Sequence, residues 1–155
     1  MIGHLKTFFP KLTEESCRVT SERDPGYNCI AWAAHITHQR WWPLENPEEA
    51  YWPAGVPRIA TLEAFQAAFE TLAYSICPID EMEPGFQKVA LFADINGMPT
   101  HAARQLANGR WTSKLGKAED IEHDLRDLEG DLYGTVALLM SRRNTAGAEK
   151  AAENG

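Results

Sequence analysis

The dipeptide Asn108-Gly109, set between two runs of alternating character, constrains this chain more than any other local feature. Asn-Gly accepts the left-handed backbone that tight hairpins require, so residues 100–106 and 110–115 are expected to pair as antiparallel strands. Loop length then decides which side chains share a face, because a change of one residue flips one strand against the other. A three-residue loop, Ala107-Asn108-Gly109, with Gly109 in a bulge, groups His101, Ala103 and Gln105 with Trp111, Ser113 and Leu115. The opposite face then carries Ala102, Arg104, Leu106, Arg110, Thr112 and Lys114, a mostly polar and basic set suited to solvent. A two-residue loop would place His101 beside Arg110, Thr112 and Lys114 and mix Trp111 with Arg104. The first register separates polarity better. It turns His101 inward, to a face where a helix is expected to pack.

The rest of the chain supplies the other layers. Residues 1–26 read as irregular and polar, ending in the turn signal Glu22-Arg23-Asp24-Pro25-Gly26. Asn28 is a good N-cap for an Ala-rich helix over 29–38, and Thr61 caps a second whose Leu62, Phe65, Ala68, Phe69 and Leu72 follow the helical period. Between them, 39–60 is rich in Trp and Pro, an ordered aromatic loop rather than a linker. Residues 74–77 suit a short strand and 88–93 a buried one, turned by Asp94-Ile95-Asn96-Gly97. A third helix is expected over 118–128, closed by Gly130, and a last strand over 133–140. The tail from Asn144 has the composition of a disordered segment. Helices first and an antiparallel sheet after is an α+β arrangement, one domain over 27–143.

Charge and cysteine usage bound the partners. A net charge of −7 with no basic run excludes nucleic acid or an anionic membrane as the main partner. No segment approaches the roughly 18 apolar residues of a spanning helix. The apolar stretch at the start is too short for a signal peptide, and Pro10 interrupts it. Three cysteines, widely spaced and with no CxxC, fit a reducing cytoplasm. No cofactor is expected.

Two residues point to chemistry. Cys29 stands where the first helical turn begins, and there unpaired N–H groups and the positive dipole end favour a thiolate. His101, on the inward face of the hairpin, can supply the base that such a nucleophile needs. Each has a plainer use: Cys29 as a small apolar residue at a helix start, His101 as a hydrogen-bonded core histidine. Cys17 and Cys77 lack the helix-start setting and read as structural. His35 and His38 form an HxxH spacing, but no further ligands lie near at metal-site spacing. His123 reads as part of a solvated helix face among Glu122, Asp124 and Asp127. Trp41, Trp42, Tyr51 and Trp52 either pack as a satellite core or line a cleft. Lys114 and Arg104 would meet an anionic substrate group if such a cleft reached their edge.

Asn28-Cys29 opening an Ala-rich helix, followed by His101-Ala102-Ala103 and a Gly-containing hairpin, resembles the NlpC family of papain-like cysteine peptidases. In that family an Asp-Cys pair starts the helix, and a strand histidine is followed by a polar residue on the next strand. The same interval lands on Ser113, and it stands where that family usually has His, Asn, Asp or Glu. Asn28 replaces the family's Asp, and Ile30-Ala31 its Ser-Gly. Tyr27-Asn28-Cys29, Tyr51-Trp52-Pro53, Gly55-Val56-Pro57-Arg58, His101-Ala102-Ala103-Arg104 and the run from Gly109 to Gly116 look like an uncharacterised bacterial domain family, from about Tyr27 to Arg142.

The resemblance implies a papain-like core with Cys29, His101 and Ser113 as the catalytic set. Thiol-based acyl chemistry on an amide or ester is then expected, with water or an amine as acceptor. Candidate substrates are peptide or isopeptide bonds, peptidoglycan stem peptides or a protein glutamine side chain. Asn28, Trp42, Tyr51, Trp52 and Lys114 are the expected substrate-binding residues. The alternative is a non-catalytic module of the same fold that holds a protein or peptide partner through the aromatic loop.

Overall fold

The computed structural model describes residues 5, 7–13, 15–21, 26–37, 39–44, 46, 48–115 and 119–143. The turn expected at 22–26, apart from Gly26, and the tail from Asn144 lie outside the described residues, as does His38. The strands are β1 (Arg18–Ser21), β2 (Ser75–Ile76), β3 (Phe86–Ala93), β4 (Pro99–Gln105), β5 (Trp111–Lys114), β6 (Asp120–His123) and β7 (Thr135–Arg143). Among the described residues, the helices α1 (Cys29–Ala33) and α2 (Leu62–Glu70) lie between β1 and β2, and a 3₁₀ turn, Leu125–Leu128, follows β6. The strands form one seven-stranded sheet in the order β1-β6-β5-β4-β3-β7-β2, with every neighbouring pair antiparallel. The architecture is α+β, as expected.

The hairpin has the three-residue loop. Arg104 pairs with Thr112 and Gln105 with Trp111, and Leu106 N–H donates to the Arg110 carbonyl at 2.7 Å. Gly109, at φ +87°, takes the left-handed position. His101, Ala103, Trp111 and Ser113 therefore share a face, with Phe92, Ile121 and His123 alongside them by register.

What covers each face differs from expectation. The His101 face packs against Leu5, Phe9, Leu12, Leu125 and Leu128, not against a helix of the first pair. The face expected to meet solvent carries α1 and α2, with Ile30, Ala31, Phe65 and Phe69 over Val89, Leu91, Ala102 and Met140. Its polar residues are accommodated by aromatic and hydrogen-bonding neighbours. Arg104 lies 4.3 Å over the Trp32 ring, Lys114 lies 5.0 Å over Tyr27, and Trp32 Nε1–H donates to Thr112 Oγ1 at 3.1 Å.

Three other elements depart from their sequence reading. The helix at Cys29 ends at Ala33 rather than residue 38, because His35 enters the left-handed region at φ +64°. There Ile36 N–H returns to the Ala31 carbonyl and His35 N–H to Trp32, closing a Schellman cap without glycine. The expected helix at 118–128 is instead β6 plus the 3₁₀ turn. Its spacing of Ile121, Leu125 and Leu128 mimics a helix, but β6 gains a full partner on each side, in β5 and β1. β1 falls within residues expected to be irregular, for the same reason: its partner is a hundred residues away in the chain.

Gly134 makes the closest backbone approach. At φ +77°, it leaves a space in which a Cβ would sit 2.0 Å from the Ala93 carbonyl oxygen. Gly109 is strained only in φ, its nearest neighbour being Met82 Cβ at 3.6 Å. Gly109→Ala is therefore expected to cost about 1–2 kcal/mol in urea unfolding, the ordinary left-handed penalty. Gly134→Ala should cost well beyond that. Equal losses would show that the Ala93 contact relaxes freely.

Candidate active site

Asn28 builds the entrance to α1. Its Oδ1 accepts the Ala31 N–H at 3.1 Å and the Trp41 N–H at 3.0 Å, and its Nδ2 donates to the Trp41 carbonyl at 2.7 Å. One side chain thus caps the helix and pins the aromatic loop to it. Cys29 follows at the first helical position and is buried.

The β4–β5 ladder covers only Arg104 and Gln105 on β4. Beyond it, the backbone N–H groups of Ala102, Ile30 and Cys29 itself lie near enough to the Cys29 sulfur to favour its thiolate. Cys29 is thereby held one residue from His101 along the strand. Burial outweighs these donors and pushes the thiol from 9.0 up to about 11. A five-residue helix offers little dipole to offset it.

His101 is fully buried, with its ring on the other face of β4. Tyr133 stacks on it with centroids 4.1 Å apart and planes within 7°, and Phe92 meets it edge-on at 5.2 Å. Nε2 lies 2.9 Å from Ser113 Oγ, and Ser113 Oγ lies 2.7 Å from His123 Nε2. His123 Nδ1 lies 2.8 Å from the Asp124 carbonyl oxygen. The remaining nitrogen, His101 Nδ1, is buried and has no hydrogen-bond partner among the described residues. No hydrogen bond joins it to Cys29. Burial, then the neighbouring His123, hold the His101 imidazole well below the usual range. Burial likewise brings His123 down to about 4. Both rings are neutral at pH 7.

Sequence reasoning missed two of these residues. His123 reads in sequence as part of a solvated helix face, yet it is fully buried on β6. The alternation of Ile121 with His123 was the only local signal. Tyr133 stands outside β7 and is brought in from the loop before it, where Thr100 Oγ1–H donates to its carbonyl. Burial, then the nearby Cys29 sulfur, push its phenol upward.

An open cleft of about 590 Å³ adjoins the α1 entrance, lined by Tyr27, Asn28, Arg40, Trp42, Leu44, Glu48, Glu49 and Ala50.

A family model described as a domain of unknown function, DUF7689, matches residues 18–141. The chain belongs to this family. No curated protein and no solved structure matches it. The DUF7689 match begins at the first residue of β1 and runs into β7, so it takes in the sheet except for the last two residues of β7.

Within this DUF7689 chain the expected binding residues separate. Asn28 and Trp42 line the cleft, and Trp42 also packs edge-on against Phe65. Tyr51 is exposed and tilts onto Trp41 at 4.7 Å. Trp52 is a correction: it is buried against Phe65, with Nε1–H donating to the Pro57 carbonyl at 2.9 Å. Lys114 is another, with its whole side chain buried beneath α1 and over Tyr27. Cys17 and Cys77 are buried free thiols, and His35 Nδ1 meets Arg104 rather than a metal-ligand set. Among the described residues no group of three or more His, Cys, Asp or Glu could hold a metal ion, and no helix is long and apolar enough to cross a membrane.

Two outcomes follow from the neutral centre. With its thiol at about 11, Cys29 carries roughly a hundredfold less thiolate at neutral pH than an ordinary cysteine. Iodoacetamide labelling of Cys29, followed by peptide mass spectrometry, should lag a cysteine peptide by that factor and rise tenfold per pH step. A fast, pH-independent reaction would contradict this. The second concerns His123, whose unfolded form takes up a proton near pH 6.5 while the folded form resists until about 4. Stability present above 6.5 is thus lost as pH falls toward 4, on the order of 3 kcal/mol. Urea unfolding at pH 7, 5 and 4 should show at least that loss, because burial depresses His101 and His35 in the same sense, and His123→Gln should remove only the His123 share.

Proposed function

We propose that this chain is a papain-like, thiol-dependent hydrolase or acyltransferase acting on an amide or ester bond. One observation carries the reading. The imidazole of His101 is tied at Nε2 to Ser113 and left unbonded at Nδ1, on the strand whose Ala102 N–H lies near the Cys29 sulfur. A papain-like centre needs these parts: a helix-start thiol, a strand histidine, and a polar residue that holds its far nitrogen.

In the reaction, His101 Nδ1 takes the Cys29 proton as the sulfur attacks the carbonyl carbon. The Cys29 N–H, at the first helical position, donates to the developing oxyanion. Collapse expels an amine or alcohol, which leaves with the proton from His101, and a Cys29 thioester remains. Water or an amine then attacks the thioester. His101 takes that proton and returns it to the departing sulfur. The resting thiol is neutral, so the mechanism uses general-base attack rather than a preformed ion pair. Proton transfer needs sulfur and Nδ1 within hydrogen-bond reach; β3 holds His101 and Ala102 by its ladder, and their β5 side is unpaired. Substrate enters along the cleft past Tyr27, Asn28 and Trp42, whose aromatic walls suit a peptide.

A second reading, a binding module without catalysis, is favoured by the burial of both reacting groups. p-Nitrophenyl acetate separates the two. The hydrolase reading expects an acetyl adduct on Cys29, absent in Cys29→Ala and formed at least about a hundredfold more slowly in His101→Gln. If Cys29 stays unmodified, or all three cysteines acetylate alike, the module reading stands.

A further inference from the structure

The chain of hydrogen bonds behind His101 has a direction, and one end fixes it. A carbonyl oxygen only accepts, so His123 Nδ1, 2.8 Å from the Asp124 carbonyl, carries the ring proton and donates it there. In a neutral ring that leaves His123 Nε2 as an acceptor. Ser113 Oγ, 2.7 Å away, must then donate its single proton to His123. Having spent that proton, Ser113 can only accept from His101 Nε2 at 2.9 Å. His101 therefore holds its proton on Nε2, and the bare lone pair falls on Nδ1, the buried nitrogen without a partner.

We infer that the Asp124 carbonyl, His123 and Ser113 form a three-bond relay that locks His101 in the tautomer with a basic Nδ1, and that His123 is a positioning residue for this centre. Serine alone is a poor orienter, because its hydroxyl both donates and accepts and would serve either tautomer of His101. His123 removes that ambiguity. The surroundings support the assignment. Burial keeps both rings neutral, so the direction is not reversed by a second proton on His123. Tyr133 stacked on the ring holds its plane, so the relay also sets where Nδ1 lies. The consequence for catalysis rests on the acyl-transfer reading above; the tautomer assignment does not.

The test is nitrogen-15 NMR of the full chain with labelled histidine, at pH 7, reading which ring nitrogen bears hydrogen. The relay expects the proton on Nε2 of His101 and on Nδ1 of His123. A proton on His101 Nδ1, or on His123 Nε2, overturns it. Ser113→Ala, which removes only the hydroxyl, should replace the single His101 tautomer by a mixture and slow Cys29 acetylation by roughly tenfold or more. An unchanged single tautomer in Ser113→Ala overturns the relay. Should the expected tautomers appear while Cys29 never acetylates, the relay stands and only the acyl-transfer reading falls.

Discussion

The turn at Ala107, Asn108 and Gly109 joins β4 to β5 with an odd number of residues, and that parity governs everything on either side of it. It sets Gln105 against Trp111 and so carries Ser113 onto the face of His101. The same alternation, continued across β6, brings His123 to that face. A loop one residue shorter would send Ser113 to the helix side and leave His101 Nε2 without a hydroxyl. Gly109 makes this loop possible because its left-handed backbone carries no Cβ penalty.

Both faces of the sheet are covered, and this decides the electrostatics. Groups that a two-layer fold would leave in water must here find partners inside. Lys88 is buried along its whole side chain, but its ammonium donates to the Ile79 and Glu81 carbonyls and pairs with Glu83 at 2.7 Å. Tyr27 donates to Asp120 at 2.6 Å beneath α1. Glu122 is held by Arg18 at 3.0 Å and Arg110 at 2.7 Å. The buried member of each pair is met by charged or hydrogen-bonding groups, several of which, such as Arg18 and Glu83, reach solvent on their far side.

That enclosure also explains the character of the candidate centre. The backbone N–H groups near the sulfur would by themselves favour a thiolate, yet removal from water costs more and wins by on the order of 3 kcal/mol. The imidazole follows the same rule in the opposite sense, losing its proton on burial. A thiol and a neutral base are the stable resting pair, with proton transfer deferred until a carbonyl is at hand. The cleft beside Asn28 and the aromatic loop pinned by that residue give such a group its approach.

Local chemistry was legible wherever a short segment settles its own conformation. Asn28 and Thr61 as caps, the Asp94–Gly97 turn, and the hairpin register follow from side-chain reach and backbone sterics, and the structure has each of them. So was the joint placement of His101 and Ser113. What the residues could not reveal was which elements cover which face. Arg104 and Lys114 look solvated in sequence, but Trp32 half-covers the first and Tyr27 lies under the second, which is fully buried. Trp52 reads equally as wall or core until Phe65 is set beside it. β1, β6 and the role of His123 depend on partners far along the chain, where local propensity for a helix is outweighed by ladder bonds on two sides. The turn, the caps and the parity of β4 against β5 are written into neighbouring residues, because these are local. The fold decided burial, and with it the protonation of every group at the centre, because removal from water depends on the whole assembly.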